Sequence, residues 1–362
     1  MHSIETHQVE NTHFFRSTAL FLLAIICSFA LLQQPAAAVG SGDAAGSNGR
    51  YVCPIGRTVG IKLFSEGVLV IGLSDIKTED GSSSPARACG LREGDIITHI
   101  NGEEVNSIEE VQAQLQALSG DSMRLRILRG EAQSQLEAQA AQCTTDGIYK
   151  LGAWIRDSMA GIGTVTFYDP ASNIFGTLGH GINDMDTAML MPLESGAIMP
   201  SSVADVRRGM SGEPGELHGV FEVENDLGQL YANTPGGVFG LLSDVQFFAG
   251  YPLVAIADAA EVQIGFATIL SNISGEAVEK FSVEITKVIT NSSDTRDLVL
   301  EVTDPRLLSE TGGIVQGMSG SPILQNGKLV GAVTHVMVND PTRGYGIFAA
   351  RMFTMAEEAL AG

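Results

Sequence analysis

The sequence predicts a mainly β protein, with a small α/β domain ahead of a larger all-β domain. Three observations carry this. Forty-two glycines in 362 residues, with only 6% aromatics, point to many turns between short strands. From Leu151 onward, stretches such as GIGTVTFY, VFGLLSDVQFF, AEVQIGFATIL, EKFSVEITKVI and RDLVLEV are separated by Gly, Pro, Asp and Asn turns, the pattern of a barrel or sandwich. Upstream of them, IEEVQAQLQAL (108–118) puts Ile108, Val111, Leu115 and Leu118 on one helical face. After Leu151 no comparable helix is expected until MFTMAEEAL near the end of the sequence.

Length and composition bound the rest. At 362 residues the chain is long for one domain, and 44% hydrophobic with 17% charged residues describes a globular protein. Twenty-one Lys and Arg against 42 Asp and Glu leave a net charge of −21, which repels phosphate backbones and argues against nucleic-acid binding.

The N-terminal run ALFLLAIICSFALL (19–32) follows Arg16 and precedes PAAA, so residues 1–38 read as a signal peptide with a cleavage site near Ala36–Ala38, or as an uncleaved membrane anchor. Either way the body is expected to be exported. Cys27 follows Ile26 and does not suit lipidation. The exported part keeps Cys53, Cys89 and Cys143. An odd count without C-x-x-C makes a disulfide framework or a zinc site unexpected, with one bridge left open. Residues 39–50 are a flexible linker by composition.

Strand-like TVGIKL (58–63) and GVLVIGLSDI (67–76) come next, then SPARACGLREGDIITHINGEEV (84–105). The helix over 108–118 follows, capped by Ser107 with Glu110 three residues on, and then the alternating MRLRILRG (123–130). This order resembles a PDZ domain, assigned to residues 51–131. Such domains add an extended peptide as a strand beside a loop that holds its terminal carboxylate. The resemblance places that loop at Val59, Gly60, Ile61 and Lys62, although the usual run of two glycines and aromatics is missing there. Residues 132–147 show no strand pattern and are expected to be a connector. The remainder, 148–362, is expected to be a peptidase domain for the reasons that follow.

Two copies of one motif stand in it, GMSGEP (209–214) and GMSGSP (317–322). Both fit the G-x-S-G-x-P surrounding the nucleophile of chymotrypsin-like serine peptidases. Ser319 is followed by SPILQNGKLVGAVTHV, in which Asn326-Gly327 signals a tight hairpin. Ser211 is followed by Pro214-Gly215, so no immediate inner strand and no Asn-Gly hairpin are expected after it. Ser321 sits at the wrong place in the bend. His180 ends the hairpin GIGTVTFYDPASNIFGTLGH, and Gly179 and Gly181 on either side free the backbone to present the imidazole. Ser319 lies 139 residues after it, room for the rest of one barrel and most of a second, whereas Ser211 lies only 31 residues after it. The expected architecture is therefore a chymotrypsin-like double β-barrel. His180 is its expected base and Ser319 its nucleophile, with the backbone N–H groups of Gly317 and Ser319 as an oxyanion hole. Spacing does not choose the carboxylate behind the base among Asp184, Asp186, Asp205, Asp244 and Asp304.

The leader, the PDZ pattern, LGHGI, GEPGE and GMSGSPI with NGKLVGAVTHV together resemble the SpoIVB (stage IV sporulation protein B) peptidase family, from about Tyr51 to the C-terminus. The resemblance implies a triad of His180, Asp304 and Ser319, with Gly212–Glu216 as a structural turn. It implies an exported serine endopeptidase of endospore formation, acting in the space between the two membranes of the forespore. Its implied protein substrates are itself and a regulatory protein bound to a membrane-embedded metalloprotease, which releases sigma-factor processing. It implies no metal and no cofactor. The competing reading is a catalytically silent scaffold whose PDZ domain binds peptide termini.

Overall fold

The computed structural model describes residues 49–361. The leader, its cleavage site, Cys27 and nearly all of the linker lie outside the described residues.

Two barrels form the body. The first is built from Thr58–Leu73 (β2), Ala153–Tyr168 (β6), Ile174–Thr177 (β7), Ser195–Arg207 (β8), Gly228–Thr234 (β10) and Gly237–Leu242 (β11). Their antiparallel pairings run β2, β6, β7, β11, β10, β8 and back to β2, which closes a ring. Tyr51–Pro54 (β1) pairs with the end of β6, and Glu216–Phe221 (β9) pairs with β8. The second barrel is Gly265–Ser271 (β12), Glu279–Val288 (β13), Leu298–Val302 (β14), Pro322–Gln325 (β15), Lys328–Met337 (β16) and Asp340–Phe348 (β17), closed in the order β12-β13-β14-β17-β16-β15. Six strands in each ring, with a cleft between them, are a chymotrypsin-like double barrel.

Each barrel has its own apolar filling. Ile61, Val165, Phe175, Ile198 and Val238 pack within the first, and Ile269, Phe281, Val283, Leu300, Ile323 and Val333 within the second. The C-terminal helix Ala349–Ala361 lies where MFTMAEEAL predicts one. Its Met352, Phe353 and Ala356 join Phe167 and Phe239 of the first barrel to Leu329 and Ala332 of the second. That packing fixes the two rings against each other and thereby the walls between them.

The PDZ domain interrupts the first barrel, and does not precede it. Up to Phe64, β2 pairs with β8 on one side and with β6 on the other. Gly67, at φ 76°, then bends the strand, because a side chain there would meet Ile96 and the Ile97 carbonyl. Beyond it Val68 pairs with Ile97 of Asp95–Ile100 (β3), which pairs with Ser122–Arg129 (β4), which pairs with Ala132–Gln139 (β5). The chain returns along β6, whose Ala153 pairs with Leu73 and whose Thr164 pairs with Thr58. One long two-stranded ribbon therefore belongs to both domains. The helix Ile108–Leu118 (α1) carries the expected capping box of Ser107 and Glu110, with Val111 and Leu115 buried.

Three sequence expectations change here. Residues 132–139 are a strand and not a connector: a polar run suits an outer strand whose partner β4 supplies the apolar side chains. A strand does follow the first GMSG bend, at Glu216–Phe221. Val59, Gly60, Ile61 and Lys62 form no peptide-binding loop. Both hydrogen-bonding edges of this segment are taken, with Gly60 opposite Ile162 on one side and Met199 on the other, so no peptide strand can be added. Gly60 is small because a Cβ would stand 2.6 Å from the Phe221 ring. A groove of the PDZ domain lies between Ile108, Val111 and Leu115 of α1 and the stretch Leu151–Ile155, beside the exposed Trp154. Cys53, Cys89 and Cys143 are unbridged.

Candidate active site

His180, Gly317 and Ser319 line one cleft of about 540 Å³ between the barrels. The hairpin that presents His180 forms as its sequence suggests. Asp169 accepts hydrogen bonds from the Ala171 N–H and the Ser172 hydroxyl, closing the DPAS turn. After β7, Leu178 (φ 68°) and Gly179 (φ 69°) both take left-handed backbone conformations and swing the chain out of the barrel toward the cleft.

Ser319 stands on a bend locked against β6. Thr164 donates its N–H to the Ser319 carbonyl (3.0 Å) and its hydroxyl to the Gly317 carbonyl (2.8 Å), and the Thr166 hydroxyl reaches the Gly320 carbonyl (2.7 Å). Beyond the bend, Asn326 (φ 53°) and Gly327 (φ 77°) make the tight hairpin turn, and β15 and β16 follow. The N–H groups of Gln316, Met318, Gly320 and Ser321 are all hydrogen-bonded to backbone carbonyls. Among the described residues those of Gly317 and Ser319 have no partner. Two free donors in an otherwise saturated bend are what an oxyanion hole requires.

The imidazole is set by main chain. Its Nδ1 lies 2.8 Å from the Gly181 carbonyl. A carbonyl only accepts, so Nδ1 carries the proton and Nε2 keeps its lone pair. Burial pushes the pKa of His180 below its ordinary value, against the Gly181 carbonyl, which acts to raise it. The ring is therefore a neutral base near pH 7. His335 stacks beside it, 4.7 Å between centroids; its edge reaches solvent, and the partial desolvation of the ring together with the neighbouring His180 holds its pKa below the ordinary value. Ser319 Oγ donates to the Thr334 carbonyl (2.6 Å) and not to His180, a resting rotamer from which it must turn to be deprotonated.

Asp304 has other partners. It caps the helix Pro305–Thr311 (α2): its Oδ1 accepts from the N–H groups of Arg306 and Leu307, and its Oδ2 from that of Ser282. Burial works to raise its pKa, but these N–H groups hold it low. Among the described residues no carboxylate hydrogen-bonds His180. Asp184 and Asp186 are paired with Arg156, and Asp244 accepts from the Gln246 N–H. Asp304→Asn should therefore keep most of the activity, since asparagine caps as well as aspartate, while Asp304→Ala should lose about 1–2 kcal/mol of stability. Thermal melts beside rate measurements check this. A carboxylate backing the base would instead make the asparagine variant about 10⁴-fold slower.

Ser211 stands outside the cleft, donating to the Asn339 carbonyl (2.8 Å) in a turn where Met210 and Glu213 exchange backbone hydrogen bonds. The segment after it has its own role. Gly215 accepts from the Gln316 N–H and Leu217 donates to the Gln316 carbonyl, so this copy of the motif braces the residue ahead of Gly317. Ser321 is fully buried and faces Ser271. Sequence reasoning missed Thr334 and His335, although both stand in the quoted GAVTHV, and missed Asn233, which carries no motif at all.

A serine hydroxyl, a neutral imidazole and two free N–H groups in one cleft between two barrels define a nucleophilic serine peptidase. Residues 147–353 match the SpoIVB peptidase S55 family and residues 81–129 match the PDZ domain family. The chain belongs to the SpoIVB peptidase S55 family and is a serine endopeptidase. It is also similar to the zinc metalloprotease RasP of Shouchella clausii, 35% identical over 63 residues, which cover 17% of this chain and 15% of that protein. Among solved structures it is similar to the HtrA-type protease AlgW with a decapeptide (10% identity, 65% of this chain and 55% of that one, TM-score 0.33). Another is the active form of the Rv3671c protease of M. tuberculosis (14% identity, 56% and 75%, TM-score 0.31). The chain thus spans about a seventh of the curated relative and about half of AlgW.

Proposed function

We propose that this peptidase is exported and acts in an endospore-formation signalling pathway, cleaving itself and a regulatory membrane-protein partner. In this reading Ser319 attacks the peptide carbonyl while His180 Nε2 takes its proton. The Gly317 and Ser319 N–H groups receive the oxyanion, and His180 then protonates the leaving amine before water releases the acyl group. The observation that supports it best is the pair of unpaired N–H groups opposite a neutral histidine, in a chain of this family.

The cleft favours apolar side chains. Ile61, Met159, Ile162, Leu178, Val336 and Val338 line it, and among the described residues no Asp, Glu, Lys or Arg does. A cationic side chain would find no counter-charge there. The PDZ groove beside α1 is the proposed site for a peptide of the partner, and the N-terminal apolar run the proposed route of export and membrane association.

The test is cleavage in trans. A tagged Ser319→Ala chain mixed with wild-type protein should be cut, and should stay intact when incubated alone. A tagged chain that stays whole beside wild-type enzyme, under conditions where that enzyme labels with a fluorophosphonate, would count against self-cleavage. Failure of the wild type to label would favour the silent scaffold.

A further inference from the structure

We propose that Asn233 is the positioning residue for the base, and that it acts through one peptide group in place of a carboxylate. This rests on the assignment of His180 as base. The Gly181 carbonyl that accepts from His180 Nδ1 shares its peptide unit with the Ile182 N–H. That N–H donates to Asn233 Oδ1 at 2.8 Å. The order is Asn233, peptide 181–182, His180. A peptide whose N–H is engaged is a stronger acceptor at its carbonyl, because hydrogen bonds in a chain polarise one another.

The amide of Asn233 has nothing left to choose. Its Nδ2 donates to the Ile182 carbonyl (2.9 Å) and to the Met191 carbonyl (2.8 Å), so its oxygen must face the Ile182 N–H. Both polar groups of Ile182 are thus clamped by one side chain, and the far end of the loop is tied to the same residue. Asn233 itself stands near the end of β10, paired with Val238 of β11, which makes it a rigid anchor. Gly181 allows the approach: a Cβ there would fall 2.3 Å from Leu190 Cδ1 and 2.7 Å from the Thr234 carbonyl.

The carboxylates that follow His180 in sequence serve the loop and not the ring. Asp184 accepts from the N–H groups of Asp186 and Thr187 and pairs with Arg156 at the PDZ end of β6. Apart from His180, the one titratable side chain lining the cleft among the described residues is His335, neutral at pH 7. The proton on Nδ1 therefore faces a polarised carbonyl and no anion.

The experiment uses nitrogen-15 histidine spectra of the folded chain together with rates of fluorophosphonate labelling across pH. In the wild type, His180 should be the Nδ1–H tautomer and the Ile182 amide proton should exchange slowly. In Asn233→Ala, the weakened bond should let the Nε2–H tautomer appear. Labelling should slow about 10–100-fold, and its acid limb should move to lower pH, because the Gly181 carbonyl no longer holds the imidazole pKa up. Asn233→Asp keeps the acceptor for Ile182 but loses both donor bonds, so it should label at a rate between those of Asn233→Ala and the wild type. An Nε2–H tautomer in the wild type overturns the proposal, and that measurement needs no variant to fold. So does an Asn233→Ala protein with the wild-type tautomer and acid limb. The tautomer is read without turnover, so an inactive wild type would fault the catalytic reading and leave the relay to be judged on its own.

Discussion

Ser319→Ala is expected to lower peptide cleavage about 10⁴-fold or more and to abolish fluorophosphonate labelling, with little change in the fold. The hydroxyl makes one hydrogen bond, to the carbonyl of Thr334, which lines the same cleft. The bend is held by main chain and by Thr164 and Thr166, none of which depends on the serine side chain. Chemistry and stability should therefore separate cleanly in this variant. His180→Ala should match it closely, because a nucleophile and its base act as one unit and their losses do not add. Ser211→Ala is the control: its hydroxyl touches only an exposed carbonyl away from the cleft, and the rate should stay at the wild-type level. Ser211→Ala losing as much activity as Ser319→Ala would overturn the assignment of the nucleophile.

The second large effect should come from Gly320→Ala, and should reach stability and activity together. Gly320 sits at φ 96°, where a side chain is strained, and its absent Cβ would fall 2.0 Å from the Thr164 carbonyl and 2.6 Å from the Leu178 amide nitrogen. Both are main-chain atoms of the barrel opposite, so neither can move aside as a flexible side chain would. The bend would have to lift from β6, breaking the Thr164 and Thr166 hydrogen bonds and displacing Gly317 and Ser319. A loss of about 2–4 kcal/mol is expected, and the surviving folded fraction should label slowly because its oxyanion donors are misplaced. Gly212 has no atom within 4 Å of its Cβ position, although it too is left-handed, at φ 83°. Gly212→Ala should therefore cost only the backbone strain, about 1 kcal/mol. Chemical denaturation of the two variants side by side measures the difference. Equal losses would mean that the second bend is not docked as described.

Much of this was legible in the chain. The 3.6-residue spacing of IEEVQAQLQAL and its Ser107–Glu110 cap made α1 readable, because both are local. Asn-Gly at 326–327 announced its turn, since only a few residues accept two successive left-handed positions. Order and distance along the chain also favoured Ser319 over Ser211, and the structure puts Ser319 in the cleft with His180 and Ser211 outside it. The Val59–Lys62 segment was misread because alternating apolar residues mark a strand without saying which strands lie beside it. One long strand serving two domains looks, in sequence, like the start of the second.

What the sequence by itself determined was the set of local elements and the residue types at the cleft: two bends, a histidine after a hairpin, a capped helix. Each depends on backbone preferences within about ten residues. The tertiary structure alone decided that the PDZ domain interrupts the first barrel, that Asp304 accepts from the Ser282 N–H and not from His180, and that Asn233 meets a peptide 51 residues before it. Those facts depend on which strands pair across long separations. Such pairing is set by packing the whole apolar core, which no short window of sequence encodes.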